Sequence, residues 1–262
     1  MKNYPDEMTS KRAVAPRQVL GDLASRSTVR RQRRTWSRRV ESWDHHGSAG
    51  LARVTAAVLE AARAGTGARV VDLGSGNGQI SLPLAQRGAT VLAVDVSPPM
   101  VRSLREQARQ AGTATLHALA MPIEELVLPD GSVDLIVSSY ALHHLRDADK
   151  ARLIHSAGRW LRPGGRIVLA DMMFGRGGSP RDREIIRTKL SALVRKGPGG
   201  WWRIAKNGAR YLLRIQERPV PADAWISMLT AAGFVRISSE VIVAEACIIE
   251  AERPDSPASG ND

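Results

Sequence analysis

The chain predicts an α/β protein built on a doubly wound, mainly parallel sheet. Three observations carry that reading. Short apolar runs alternate with stretches of helical period along most of the 262 residues. The run Val70-Val71-Asp72-Leu73 passes into Gly74-Ser75-Gly76-Asn77-Gly78 and then a helix pattern, which is a strand, a tight turn and a helix start. A second apolar run, Val91-Leu92-Ala93-Val94, follows at the spacing of a strand-helix-strand unit.

The elements follow in order. A helix is predicted over Leu51–Ala64, with strands near 69–73, 90–94, 114–118, 133–138 and 166–171. Between the strands stand helices Ile80–Gln86, Pro99–Gln110, the second entered through Ser97-Pro98-Pro99, and Asp149–Trp160. Arg162-Pro163-Gly164-Gly165-Arg166 reads as a turn. Helix Pro221–Ala232 and strands Val235–Ser239 and Ala246–Glu252 close the sheet.

The glycine turn carries chemistry. Glycines there let a backbone pass close to a ligand where a β-carbon would collide. The second strand ends in Asp95, about 20 residues past the glycines, the place of an acid that holds the two hydroxyls of a ribose. The spacing is G-x-G-x-G rather than G-x-G-x-x-G, and Asp72 stands two residues before the first glycine. An acid beside the loop repels a pyrophosphate and favours a cationic part, an ammonium or a sulfonium.

This segment resembles the first motif of class I S-adenosylmethionine-dependent methyltransferases. Further blocks agree in order and spacing: Leu128-Pro129-Asp130-Gly131-Ser132-Val133-Asp134, Tyr140-Ala141-Leu142-His143-His144-Leu145, and the turn before Ile167-Val168-Leu169-Ala170-Asp171. The branch resembled is that of small-molecule enzymes of the ubiquinone/menaquinone C-methyltransferase type, over residues 36–175 and more loosely over 219–250. The resemblance implies a Rossmann-like sheet of seven strands, the last antiparallel, and S-adenosyl-L-methionine as cofactor. It implies a cofactor set of Asp72, Gly74, Ser75, Gly76, Gly78, Asp95, Val96, Met100, Met121 and Ser138. Asp72 and the glycine loop would take the amino-acid end, Asp95 the ribose, Met100 the adenine, and Ser138 the place where methionine and acceptor meet. Relatives often carry an acid at the position of Met121 or Pro122; Glu124 stands close and can substitute.

Methyl transfer is an in-line displacement in which the protein supplies alignment and excludes water, with a base only where the acceptor must lose a proton. His143, His144 and Tyr140 are the candidate catalytic residues, and Trp43, His45 and His46 are further candidates for the acceptor pocket. An aromatic face there can also stabilise a sulfonium. No Cys/His spacing fits a zinc site, so no metal is expected. Ser138-Ser139-Tyr140 stands where amino-group DNA methyltransferases carry Asn/Asp-Pro-Pro-Tyr/Phe, which disfavours a nucleobase amine as acceptor.

The net charge of +12 is unevenly spread. Residues 1–40 hold eleven Lys/Arg against three Asp/Glu, and residues 176–218 hold twelve against three. The chain divides into a basic tail at 1–27, a core at 28–175 that begins with a lid helix at 28–43, a basic amphipathic insertion at 176–218 forming a substrate lid, the remainder of the core at 219–252, and a polar tail at 253–262. In the insertion, Arg181–Lys196 reads as a helix, ended by Gly197-Pro198-Gly199-Gly200. Three of the six tryptophans, Trp36, Trp201 and Trp202, fall in the basic segments. Such segments suit an anionic membrane surface, nucleic acid, or the solvated face of a lid over a soluble acid. The lone Cys247 reads as a core thiol. The start has no signal-peptide character and no run is long enough to span a bilayer, so the expected location is the cytoplasm, at the inner membrane face if the basic segments dock there. The expected function is methyl transfer to a small lipophilic or anionic acceptor. The alternatives are an RNA-modifying enzyme and a cofactor-binding interaction protein without transfer activity.

Overall fold

A computed structural model describes residues 49–175, 178–194 and 218–255. The expectations for the tail at 1–27, the lid helix at 28–43, Trp43, His45, His46, and the second half of the insertion with Trp201 and Trp202 lie outside the described residues.

Helix α1 (Ala49–Ala62) leads into β1 (Arg69–Leu73), α2 (Ser81–Gln86), β2 (Thr90–Asp95), α3 (Pro98–Gln110) and β3 (Leu116–Ala120). There follow β4 (Val133–Ser139), α4 (Asp147–Trp160), β5 (Leu161–Met172), α5 (Pro180–Val194), α6 (Ala222–Ala231), β6 (Val235–Val243) and β7 (Ala246–Glu252). The seven strands form one sheet in the order β3-β2-β1-β4-β5-β7-β6. The first five run parallel, and β7 is antiparallel to both of its neighbours.

The sheet is sandwiched because its strands are apolar on both faces. On one face Val70, Leu135, Val137, Val168 and Ile248 pack under α1, α2 and α3 through Val58, Leu84 and Leu104. The residues one position over, Val71, Ile136, Ile167, Leu169 and Ile249, meet α4 and α6 through Ile154, Trp160, Trp225 and Leu229. Each such aliphatic side chain, once buried, contributes about 1.5–3 kcal/mol. Cys247 is buried in the second of these layers.

Among the boundaries that differ from the sequence reading, two have a clear local reason. β3 starts two residues late, because Thr113 N–H closes onto Ala108 O and Leu116 N–H onto Thr113 O, so that residues 111–115 are spent on a turn. β5 starts early: Leu161 pairs with Val133 and Arg166 with Leu135, so the expected turn at 162–166 is a bulge inside the strand. No helix among the described residues is long and apolar enough to cross a membrane.

β1 has β2 on one side and β4 on the other, and the chain reverses its direction of winding between β1 and β4. The carboxyl ends of these strands therefore leave a crevice, the usual ligand position in an open α/β sheet.

Candidate functional site

An open cleft lies at that switch point. Its floor is the turn after β1. Gly74 N–H and Ser75 N–H donate to Val94 O at 2.8 and 3.1 Å, which folds the turn over the end of β2. Gly78 N–H closes it onto Ser75 O at 2.9 Å, and Gln107 Nε2 from α3 steadies it through Asn77 O at 3.0 Å.

The three glycines do different work. All have positive φ, at 82, 54 and 96° for Gly74, Gly76 and Gly78. A β-carbon at Gly74 would stand 2.1 Å from Ala141 Cβ, and one at Gly78 2.2 Å from Leu104 Cδ1. At Gly76 it would meet nothing within 4 Å. So Gly74 and Gly78 permit close packing of protein on protein, and only Gly76 leaves room on the cleft side.

Two carboxylates flank the turn. Asp72 is 1% exposed and accepts a hydrogen bond from Ser81 Oγ at 2.5 Å. Burial pushes its carboxyl up to about 7; the Ser81 hydrogen bond opposes the rise and the charge of Asp95 adds to it. Asp95 receives Gly76 N–H on Oδ2 at 3.0 Å and Ser97 N–H on Oδ1 at 2.8 Å. Burial raises it against these two bonds. Asp95 thus holds the turn and the entry to α3 while facing the cleft.

Of the sequence-derived cofactor residues, Asp72, Gly74, Ser75, Gly76, Asp95, Val96 and Met100 line the cleft. Gly78, Met121 and Ser138 do not. Gly78 packs on Leu104. Met121 packs against the core beneath α4, its N–H donating to Asp95 O at 2.9 Å. Ser138 is buried, with Oγ donating to Leu73 O at 2.7 Å; the next residue, Ser139, is the serine at the cleft. Asn77, Gln79, Ile80 and Ala141 line it too, as do Leu51 and Thr55 from α1. Leu51 and Thr55 are spaced i, i+4 on one helix face, a signal the sequence did carry. Ile123 and Glu124 enter from a short 3₁₀ turn after β3, and burial pushes the Glu124 carboxyl up.

The candidate catalytic residues divide. Tyr140 and His144 line the cleft; His143 is 5% exposed and turned away from it. Tyr140 holds a left-handed backbone, φ 49°, with its N–H on Ala170 O at 2.9 Å. Such a conformation in a bulky residue is strained and is characteristic of functional sites. Burial pushes its phenol up to about 12, helped by the charges of Glu245 and Asp171. It therefore stays protonated at neutral pH and offers a hydroxyl donor and a ring face, not a base. Among the described residues that line the cleft there are three carboxylates and no Lys or Arg.

Residues 70–165 match the family described as a methyltransferase domain. Two curated relatives are uncharacterized methyltransferases of Geobacillus. One, from Geobacillus thermodenitrificans, is 32% identical over 151 residues, 57% of this chain and 63% of that protein. The other, from Geobacillus kaustophilus, is 31% identical over 166 residues, 62% of this chain and 71% of that one. The chain thus spans somewhat under two thirds of the first relative's length and somewhat more of the second's. Among solved structures, the 1,6-didemethyltoxoflavin-N1-methyltransferase of Burkholderia thailandensis, with 1,6-didemethyltoxoflavin and S-adenosylhomocysteine bound, matches at a TM-score of 0.57 and 17% identity over 94% of both chains. At that identity the likeness is one of fold.

Proposed function

Because the chain belongs to the methyltransferase family, we propose that it transfers the methyl group of S-adenosyl-L-methionine to a small, uncharged and lipophilic acceptor lying beside Tyr140 and His144. The observation that carries this reading is the pair of carboxylates on either side of an open glycine turn, Asp72 buried and Asp95 half-buried. Asp72 suits the cationic amino-acid end of the cofactor, and Asp95 suits the ribose hydroxyls. Gly76 leaves room between them. The Burkholderia enzyme, with S-adenosylhomocysteine in the same fold, supports the choice of cofactor.

The cofactor brings an electrophilic methyl on sulfur, and this chain's residues align and shield it. Leu51, Leu145 and the Tyr140 ring make an apolar wall, and Tyr140 presents its protonated hydroxyl. An anionic acceptor would find no cation on the described wall, so a lipophilic one fits better, in keeping with the resemblance to quinone methyltransferases. The basic segments then serve to dock the protein on an anionic bilayer, where such acceptors reside.

Titration calorimetry with S-adenosylmethionine tests the core of the proposal. Wild type should bind, and Asp95→Ala should weaken binding by about 10- to 100-fold, the worth of hydrogen bonds to a charged group. Absence of binding, or an affinity indifferent to Asp95→Ala, would overturn it. Flotation with anionic and with neutral vesicles tests the docking: binding to the anionic set alone supports it, and binding to RNA but to neither set refutes it.

A further inference from the structure

We propose that Asp171 and His143 form a buried positioning pair that fixes His144 in the wall of the cleft. This rests on the reading above, in which His144 faces the acceptor. His143 and His144 are consecutive residues of a 3₁₀ turn, Leu142–His144. His144 lines the cleft and His143 points into the protein.

Asp171, near the end of β5 and 2% exposed, grips His143 twice. Its Oδ2 accepts the His143 backbone N–H at 2.8 Å, and its Oδ1 lies 2.5 Å from Nδ1. A carboxylate at Nδ1 keeps the proton on that nitrogen and so fixes both the tautomer and the ring plane. Met172 N–H holds the carboxylate in turn at 2.7 Å. Burial pushes the Asp171 carboxyl up; the charge and hydrogen bonds of His143, together with the Met172 bond, outweigh this and hold it below the usual range.

The turn is clamped from behind as well. His143 O accepts Arg218 N–H at 2.7 Å, and Arg218 O accepts Nζ of the wholly buried Lys150 at 2.5 Å. The immobilised His143 ring then meets the His144 ring at 4.0 Å between centroids and a tilt of 48°. A buried carboxylate–imidazole pair adds little stability over an apolar pair of the same shape. What it adds is direction, and among the described residues the ring it meets at the cleft is that of His144. His143 and Asp171 are therefore positioning residues. Among the described residues, the other titratable groups that line the cleft with His144 are Asp72, Asp95, Glu124 and Tyr140.

Imidazole nitrogen NMR on the full chain, with and without S-adenosylhomocysteine, tests the pair. Wild type should show one Nδ1 proton protected from water, absent in His143→Gln. Asp171→Asn should lose that proton and move the titration midpoint of His144, identified by its loss in His144→Gln, by about half a pH unit or more. A purely structural role would lower the melting temperature and leave that midpoint in place, and this result would overturn the proposal. So would a wild-type spectrum without the protected proton, which holds even if Asp171→Asn fails to fold. Failure of the wild type to bind S-adenosylhomocysteine would count against the proposed function alone, since both readouts are also taken on the free protein.

Discussion

One wall of the cleft, with Asp72, Gly74, Gly76 and Asp95, comes from a single strand-turn-helix-strand stretch. The other, with Leu51, Thr55, Tyr140 and His144, is assembled from α1 and the segment after β4, far apart in the chain. The first wall is held by bonds within its own stretch, through Gly76 N–H on the Asp95 carboxylate and Gly74 N–H on Val94 O. The second is held by packing and buried polar pairs, such as His143 on Asp171. A wall that stabilises itself can be specified by spacing alone; one that depends on remote partners cannot.

The two walls touch where Gly74 meets Ala141, and breaking that contact should have the largest effect. Gly74→Ala puts a methyl 2.1 Å from Ala141 Cβ at a φ of 82°. We expect a loss of about 3 kcal/mol or more, a fall in Tm of roughly 6–12 °C by thermal denaturation. Gly76→Ala sharpens the contrast. Its methyl meets no protein atom, so stability should fall by only about 1 kcal/mol while cofactor affinity drops about tenfold or more by calorimetry.

Next in size is the pH dependence of the self-supporting wall. With the Asp72 carboxyl pushed up to about 7, the free site is largely protonated below that pH and must release a proton to receive a cation. Affinity for S-adenosylmethionine should therefore fall by up to about tenfold per unit as pH drops from 7 towards 5, and level off above 8. Asp72→Asn should flatten the profile. The sign for folding is opposite: a carboxyl raised in the native state gives stability that is present below its unfolded value near 3.8 and is lost as pH rises through about 7.

The smallest effect should come from the assembled wall. The Tyr140 phenol, pushed up to about 12, does not titrate in the working range. Tyr140→Phe should change turnover by about tenfold or less and leave the shape of the pH–rate profile intact. A lost basic limb in that profile would instead make Tyr140 a base.

Legibility from sequence follows the same division. Strand-helix alternation announced the sheet, and the acid-glycine spacing announced Asp72 and Asp95, because each is a local pattern with a local cause. The sequence reading names Ser138 where Ser139 lines the cleft, because a strand sends alternate residues to opposite sides and the sequence does not say which side is the cleft. His143 and His144 looked equivalent because a 3₁₀ turn separates neighbours that no apolar period distinguishes. Glu124 sits on another such turn, so its entry into the cleft was visible only as proximity.

The fastening of the chain on either side of residues 183–217 has a consequence for how such a protein diversifies. On the leaving side, Asp182 takes Gly175 N–H at 2.8 Å and Ser179 N–H at 3.2 Å; on the returning side, Arg218 is tied to His143 and Lys150. Neither knot uses a group from residues 183–217. Doubling the length of a stretch between fixed ends costs only about 0.6 kcal/mol in closure entropy. Descendants could exchange that stretch while inheriting the strand-turn-helix-strand wall of the cleft unchanged.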